Sequence, residues 1–193
     1  MFVSDLRHFL DMPDDVPGPA RRMGEHLVFV VRAATAGPAG DSWTTSLPCR
    51  RRPGHRPCPG RMMVFRADLP APIDWKCSSC GDEGTISGWE GSPFDLRRQR
   101  SRLTGRPGDR VGVIVSDEVA ATLRDLVLMD TDSERLVFSA RPADGGVVLA
   151  ADEDDLDELV GFVAAEANHE ANRRRQKRLD DAFAVLSDAI GSR

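Results

Sequence analysis

The chain has 193 residues, of which 40% are hydrophobic and 30% charged, and its net charge is −5. This length accommodates one domain or two small ones, and the composition is typical of a soluble globular protein. No stretch approaches 18 consecutive apolar residues, so we expect no transmembrane helix and no membrane partner. Residues 1–7 lack the basic and apolar regions of a secretory signal, so we expect a cytoplasmic protein with reduced thiols.

The charge is divided unevenly along the chain. Residues 1–110 contain 17 basic and 13 acidic side chains, whereas residues 111–193 contain 9 basic and 18 acidic ones. The opposite signs predict two units with different surfaces. Nearly all of the basic residues are arginine, a composition typical of GC-rich bacterial genomes, so we expect a bacterial source.

The first half of the chain is predicted to contain one helix and several short strands. Residues 1–18 are punctuated by proline and are interpreted as an extended or single-turn lead-in. A helix is predicted from Pro19 to Ala34, because proline suits a first turn and apolar residues recur there at helical spacing. Strands are predicted for the short apolar runs that follow, 43–47, 62–65, 73–75 and 85–89.

The second half is more regular and follows a basic, turn-rich segment, 97–110, which is interpreted as a linker. A strand is predicted at 111–115, and a helix with Ser116 as its N-cap is predicted to continue to Met129. A hairpin is predicted, in which the strands 135–141 and 147–150 pair across a turn at 143–146. The final segment, 152–190, predicts one long helix or, with a break at 168–172, two packed helices.

All four cysteines lie between positions 49 and 80, and two of them form the motif Cys77-x2-Cys80-Gly81. Two intervening residues allow a tight turn that directs both sulfurs at one ion, and the glycine permits a left-handed backbone after it. In a reducing compartment, clustered cysteines indicate metal binding rather than disulfides. This motif predicts one half of a tetrahedral zinc site.

The other half of the site has two possible compositions. Cys49 and Cys58 complete a set of four cysteines, whereas His55 with Cys58 offers a closer spacing and leaves Cys49 free. We favour the set Cys49, Cys58, Cys77 and Cys80, because an idle cysteine within such a cluster is not expected. Four protein ligands close the coordination sphere, and no His-Glu-x-x-His or His-x-Glu pattern is present, so a structural zinc is predicted over a catalytic one.

Residues 47–90 resemble a zinc ribbon, in which two cysteine knuckles and β-hairpins surround one metal ion. The wide spacing of the first pair and the prolines on either side of Cys58 depart from that pattern. Zinc ribbons occur in transcription factors, in ribosomal proteins and as structural inserts, so the resemblance does not define a function. The predicted fold is thus α+β, with an N-terminal helix and zinc-ribbon-like β region over 1–96, the linker, and a β-α-β-β-α(α) unit over 111–193.

Arginines surround the first cysteine pair, and no acidic residue lies between Cys49 and Asp68. Guanidinium groups on a rigid loop suit the phosphate oxygens of nucleic acid, although the acidic isoelectric point of about 5.4 is unusual for a dedicated binder. The candidate nucleic-acid residues are Arg50, Arg51, Arg52, Arg56 and Arg61. Trp75 and Trp89 could stack on bases, but aromatic side chains beside a small zinc site more often form its core.

We therefore expect a zinc-binding protein that acts as a nucleic-acid-associated or regulatory binding module, without enzymatic activity. One alternative is a protein–protein adaptor, whose partner or second copy contacts the C-terminal helices. Another alternative is a small zinc-dependent hydrolase with three ligands and a water molecule. A polar cluster that includes Glu166, His169 and Glu170 is interpreted as a helix cap or polar contact rather than a site.

Overall fold

The computed structural model describes residues 2–10, 12–13, 16–68, 71–97 and 110–191. The chain divides into two compact units, residues 1–99 and 100–193. The described residues form five α-helices and two β-sheets, so the predicted α+β class is confirmed. Of the predicted linker 97–110, all but the two end residues lies outside the described part of the chain.

The N-terminal unit is a five-stranded sheet with one long helix. Its strands follow the order β1-β5-β4-β3-β2, with β1 parallel to β5 and the other neighbours antiparallel. The elements are β1 (Phe2–Asp5), α1 (Gly18–Ala36), β2 (Ser42–Pro48), β3 (Arg61–Phe65), β4 (Ile73–Cys77) and β5 (Glu83–Ser87), with single 3-10 turns at Leu6–Phe9 and Pro53–His55.

The helix α1 covers one face of this sheet and contacts β2, β3 and β4. Its buried residues include Leu27, Val30 and Val31, which lie at helical spacing as the sequence predicts. The buried Arg66 holds the end of the helix, donating from Nε to the carbonyl of Ala34 at 2.9 Å and from Nη2 to that of Gly37 at 3.2 Å. These charge-assisted bonds satisfy carbonyls that the last helical turn leaves without partners.

The two tryptophans near the cysteines belong to the core of this unit. Trp75 and Trp89 are 2% and 0% exposed, and the indole nitrogen of Trp89 donates to the carbonyl of Ala71 at 3.0 Å. The guanidinium of Arg97 lies 4.1 Å from the Trp89 ring centroid and pairs with Asp95. The core interpretation is therefore confirmed, and neither ring is accessible to a base.

The C-terminal unit combines a three-stranded antiparallel sheet, in the order β6-β8-β7, with four helices. One apolar core joins the sheet to all of these helices and includes Val115, Leu123, Leu149, Leu159 and Leu179. The elements are β6 (Val111–Val115), α2 (Asp117–Arg124), α3 (Thr131–Phe138), β7 (Arg141–Ala143), β8 (Gly146–Ala151), α4 (Glu153–His169) and α5 (Arg173–Gly191).

The strand predicted at 135–141 is wrong, because most of this segment belongs to the helix α3. The side chain of Asp130 accepts a bond from the backbone N–H of Ser133 at 2.8 Å and so caps the helix, and acidic residues follow in its first turn. The helix predicted over 116–129 is also shorter, since α2 ends at Arg124. The β7–β8 hairpin forms at the predicted turn.

The segment 152–190 forms two helices rather than one. Asp152 and Asp155 form a capping box at the start of α4, in agreement with the acidic signal in the sequence. The side-chain oxygen of Asn172 accepts from the backbone N–H of Arg174 at 3.0 Å, which marks the start of α5. No helix in the described part of the chain is both long and apolar enough to span a bilayer.

Candidate metal centre

The four cysteines meet at one end of the N-terminal sheet. Cys49 and Cys58 belong to the loop that joins β2 to β3, whereas Cys77 ends β4 and Cys80 lies in the turn before β5. Because β2, β3, β4 and β5 are successively antiparallel, these two connections lie at the same end of the sheet. The topology therefore brings the two cysteine pairs together although they are distant in sequence.

The geometry of the sulfur atoms is that of a metal site. Cys49 Sγ lies 3.6 Å from Cys80 Sγ, and Cys58 Sγ lies 3.7 Å from Cys77 Sγ. All four sulfurs are within 4.8 Å of one another. Four thiolates about 2.3 Å from a central zinc ion are separated by about 3.8 Å in a regular tetrahedron, so a small ion fits between them. Each pair of close sulfurs contains one cysteine from each half of the site.

Backbone N–H groups surround three of the sulfurs. The amide of Arg51 donates to Cys49 Sγ at 3.4 Å, that of Gly60 to Cys58 Sγ at 3.4 Å, and that of Ser79 to Cys77 Sγ at 3.3 Å. In each case the donor is two residues after the cysteine, the arrangement of a metal-binding knuckle. Such donors stabilise negative charge on sulfur, which a thiolate ligand requires.

The environment of Cys77 favours its thiolate form. Burial acts to raise its pKa, but the amides of Cys80 and Ser79 and the neighbouring cysteine side chains outweigh burial and lower the pKa to about 7. Burial raises the pKa of Cys49 instead. The pKa shifts of these two thiols are thus opposite in direction, and a bound cation would favour the thiolate form of both.

His55 is not part of this cluster. It is exposed, at the end of the 3-10 turn Pro53–His55, and has a left-handed backbone with φ of 65°. Among the described residues, the potential metal ligands that assemble here are the four cysteines alone. The alternative set with His55 in place of Cys49 is therefore not the one that the fold brings together.

Two glycines are needed for the site to close. Gly81 follows the second knuckle with φ of 69°, the left-handed conformation that the sequence predicts. Gly60 was not identified from the sequence, and its importance comes from a close approach between the two loops. A Cβ atom at Gly60 would overlap Cys77 Sγ and lie 2.9 Å from the Cβ of Ser79.

We expect Gly60→Ala to weaken metal binding at least about tenfold, because the added methyl group pushes the Cys58 loop away from Cys77. Competition with a chromophoric zinc chelator measures this loss directly. Pro59→Ala is the control, since it changes an exposed neighbour in the same loop. Equal affinities for the two variants would contradict the role assigned to Gly60.

The candidate nucleic-acid arginines fall into two groups. Arg61 donates to the carbonyl of Ser46 at 2.9 Å, and Arg50 pairs with Asp82 at 3.5 Å, so both support the loop structure. Three others, Arg51, Arg52 and Arg56, are exposed, and their side chains make no hydrogen bond or ion pair within the described residues. These three are the arginines available to a partner.

A polar cleft of about 360 Å³ adjoins Cys80. Its lining includes Arg50 and Arg51, but also the acidic residues Asp82 and Glu83. The charges therefore balance, and the cleft does not offer a strong anion site. The exposed arginines of the β2–β3 loop form a more positive surface than this cleft.

The polar cluster in the C-terminal unit is a structural ion network. Arg175 of α5 pairs with both Glu166 and Glu170, at the end of α4. Glu166 is 8% exposed, and its second oxygen accepts from the backbone N–H of Val127 at 2.9 Å. The carboxylates of Glu166 and Glu170 thus bind groups on α5 and on the α2–α3 loop and hold these elements against α4, as the polar-contact interpretation predicts. Sequence spacing alone did not identify Arg175 as the partner.

The fold and the site together define an α+β protein with four cysteines positioned to bind a metal ion. Comparison of the chain with protein-family models, with curated proteins and with solved structures finds no match. Its function therefore has to be inferred from the geometry of the described residues.

Proposed function

We propose that the four cysteines hold a structural zinc ion, which fixes the β2–β3 loop as an arginine-bearing contact for nucleic acid. The observation that carries the metal assignment is the closed set of four sulfurs with backbone donors. Tetrahedral sites with four thiolates select zinc or iron, and zinc is the usual structural ion. A hydrolytic centre needs an open coordination position for water, and four thiolates fill all of them.

The charge of the site supports the nucleic-acid contact. A zinc ion with four thiolates carries a net charge of about −2. Arg50 is paired with Asp82, and the exposed Arg51, Arg52 and Arg56 together carry three positive charges, one more than the negative charge of the zinc site. A rigid loop loses little conformational entropy on binding, and guanidinium groups bind phosphate oxygens in bidentate fashion. Together these features fit a polyanion better than a neutral partner.

Metal analysis tests the first part of the proposal. Inductively coupled plasma mass spectrometry of the protein purified without chelator is expected to find one equivalent of zinc per chain. Replacement by Co²⁺ is expected to give the intense visible bands of a tetrahedral thiolate site. Stoichiometric iron with its own visible spectrum would overturn the zinc assignment.

Nucleic-acid binding is tested by fluorescence anisotropy with a labelled DNA duplex at increasing salt. We expect the combined variant Arg51→Gln, Arg52→Gln, Arg56→Gln to bind at least about tenfold more weakly at low salt. The slope of log K against log salt is expected to decrease in magnitude by about 3, one unit for each lost phosphate contact.

The matched control carries the same change in charge on the exposed side of α5: Arg173→Gln, Arg174→Gln and Arg178→Gln. If the two triple variants lose affinity equally, attraction is non-specific and the loop is not the contact. If the wild-type protein binds no DNA or RNA while retaining zinc, the adaptor alternative replaces the nucleic-acid proposal.

A further inference from the structure

The sheet of the C-terminal unit has one protected edge and one open edge. The protected edge is β7, which has only three residues and contains Pro142, a residue that cannot donate to a further strand. The open edge is β6, with the sequence Val-Gly-Val-Ile-Val, which contains no charged residue and no proline. Within the described part of the chain, β6 pairs only with β8.

The open edge also carries exposed apolar side chains. Ile114 and Val111 are 57% and 51% exposed, whereas Val113 and Val115 are buried in the core. β-branched side chains without charges or bulges make an edge strand a template for pairing with another chain. Natural edge strands normally carry charged residues or proline, which prevent pairing with another chain, and β6 has neither.

The backbone groups available for pairing are those of Gly112 and Ile114. A Cβ atom at Gly146 would overlap the carbonyl oxygen of Val115, so this carbonyl points toward β8. The N–H and C=O groups of successive residues in a strand point to alternate sides. Val111, Val113 and Val115 therefore bond to β8, while Gly112 and Ile114 direct their N–H and C=O groups to the open edge.

We propose that β6 pairs with β6 of a second copy of this chain, antiparallel, about a two-fold axis at Val113. In this register Gly112 of each copy lies opposite Ile114 of the other. These are the residues whose backbone groups point outward, so the pairing forms two hydrogen bonds at each of two symmetric positions. The two three-stranded sheets thereby become one six-stranded sheet.

The side chains are self-complementary in the same register. Ile114, the large exposed residue, lies opposite a glycine that leaves room for it. Gly112 itself cannot be larger without adjustment, since a Cβ there would lie 2.8 Å from the Cγ2 of Val148. Ile114 of the second copy covers Gly112 and contacts Val148, so that the Ile114 side chain of each copy becomes buried against the other.

The flanking charges favour this orientation as well. Arg110, which is also paired with Asp155 at 3.5 Å, precedes β6, and the acidic residues Asp117 and Glu118 follow it. An antiparallel pair places the basic end of one strand beside the acidic end of the other, whereas a parallel pair places like charges together. This symmetry selects a second copy of the chain over an unrelated apolar strand.

Sedimentation velocity of the full chain over a range of concentrations tests the proposal. The wild-type protein is expected to show a reversible monomer–dimer equilibrium. Ile114→Lys is expected to raise the dimer dissociation constant at least about tenfold, because a charge on the edge opposes pairing. Val127→Lys is the matched control, since Val127 is 80% exposed but lies in the α2–α3 loop.

Hydrogen exchange identifies the interface. The amides of Gly112 and Ile114 are expected to exchange more slowly at high protein concentration than at low concentration. The Ile114→Lys variant is expected to lose this dependence. A wild-type protein that is monomeric at all concentrations overturns the proposal, as does dimerisation that protects α5 instead of β6 or that Val127→Lys weakens equally.

Discussion

Replacing Cys77 by serine is expected to abolish stoichiometric zinc binding and to unfold the two loops that carry the cysteines. Cys77 is buried, and the backbone amides and cysteines around it lower the pKa of its thiol. A serine hydroxyl remains protonated at neutral pH and cannot replace the lost charge at the metal. A ligand that binds only the folded state stabilises it by about 4 kcal/mol at 1,000 times its dissociation constant, so under the proposed function the variant is expected to lose a contribution of this size at such a zinc concentration.

Elemental analysis and thermal unfolding, each with and without chelator, measure this effect. The wild-type protein is expected to melt at a lower temperature after chelation, whereas Cys77→Ser is expected to melt at that lower temperature in both cases. Ser79→Ala is the control, because it keeps the backbone donor to Cys77 and changes only an exposed side chain in the same turn. Retention of one zinc by Cys77→Ser would remove this residue from the ligand set.

The parts of this site that the sequence predicts are those encoded locally. The motif Cys77-x2-Cys80-Gly81 contains its own turn, and the left-handed Gly81 follows from it. The choice between Cys49 and His55 is different, because it depends on which residue the β2–β3 loop directs toward β4. Gly60 shares this limitation, since its role comes from contact with a turn that lies some twenty residues later.

The fold shows the same division between local and long-range signals. The helix α1 follows from periodicity, and the turn of the β7–β8 hairpin follows from its glycines, whereas the first strand of that hairpin is Arg141–Ala143 and not the predicted 135–141. The sequence predicts a strand in this part of α3 because Leu136, Val137 and Phe138 form a short apolar run, whereas the cap of the helix, Asp130, lies before that run. The parallel pairing of β1 with β5 joins residues about 80 positions apart, and no local pattern indicates it.

The ion network of the C-terminal unit leads to a second large expected effect. Arg175 neutralises Glu166, a nearly buried carboxylate, and also donates to the carbonyl of Asp125 at 3.2 Å. Arg175→Met preserves most of the side-chain volume but leaves the Glu166 carboxylate without its ion-pair partner, with only the bond from Val127 remaining. Breaking such a buried pair from one side typically costs about 3–5 kcal/mol, so we expect a loss of this size in the free energy of unfolding.

Chemical denaturation of the full chain, followed by a probe in the C-terminal unit, measures this loss. Lys177→Met is the control on the same helix, because its pair with Asp181 is exposed and a solvated pair contributes little.

Adding Glu166→Gln to Arg175→Met removes the uncompensated charge, and the amide can still accept the bond from Val127, so the double variant is expected to recover part of the stability. If Arg175→Met and Lys177→Met are equally stable, Glu166 is solvated in solution and the network is a surface feature. Recovery in the double variant identifies the buried charge, rather than lost packing at Arg175, as the cause of the instability.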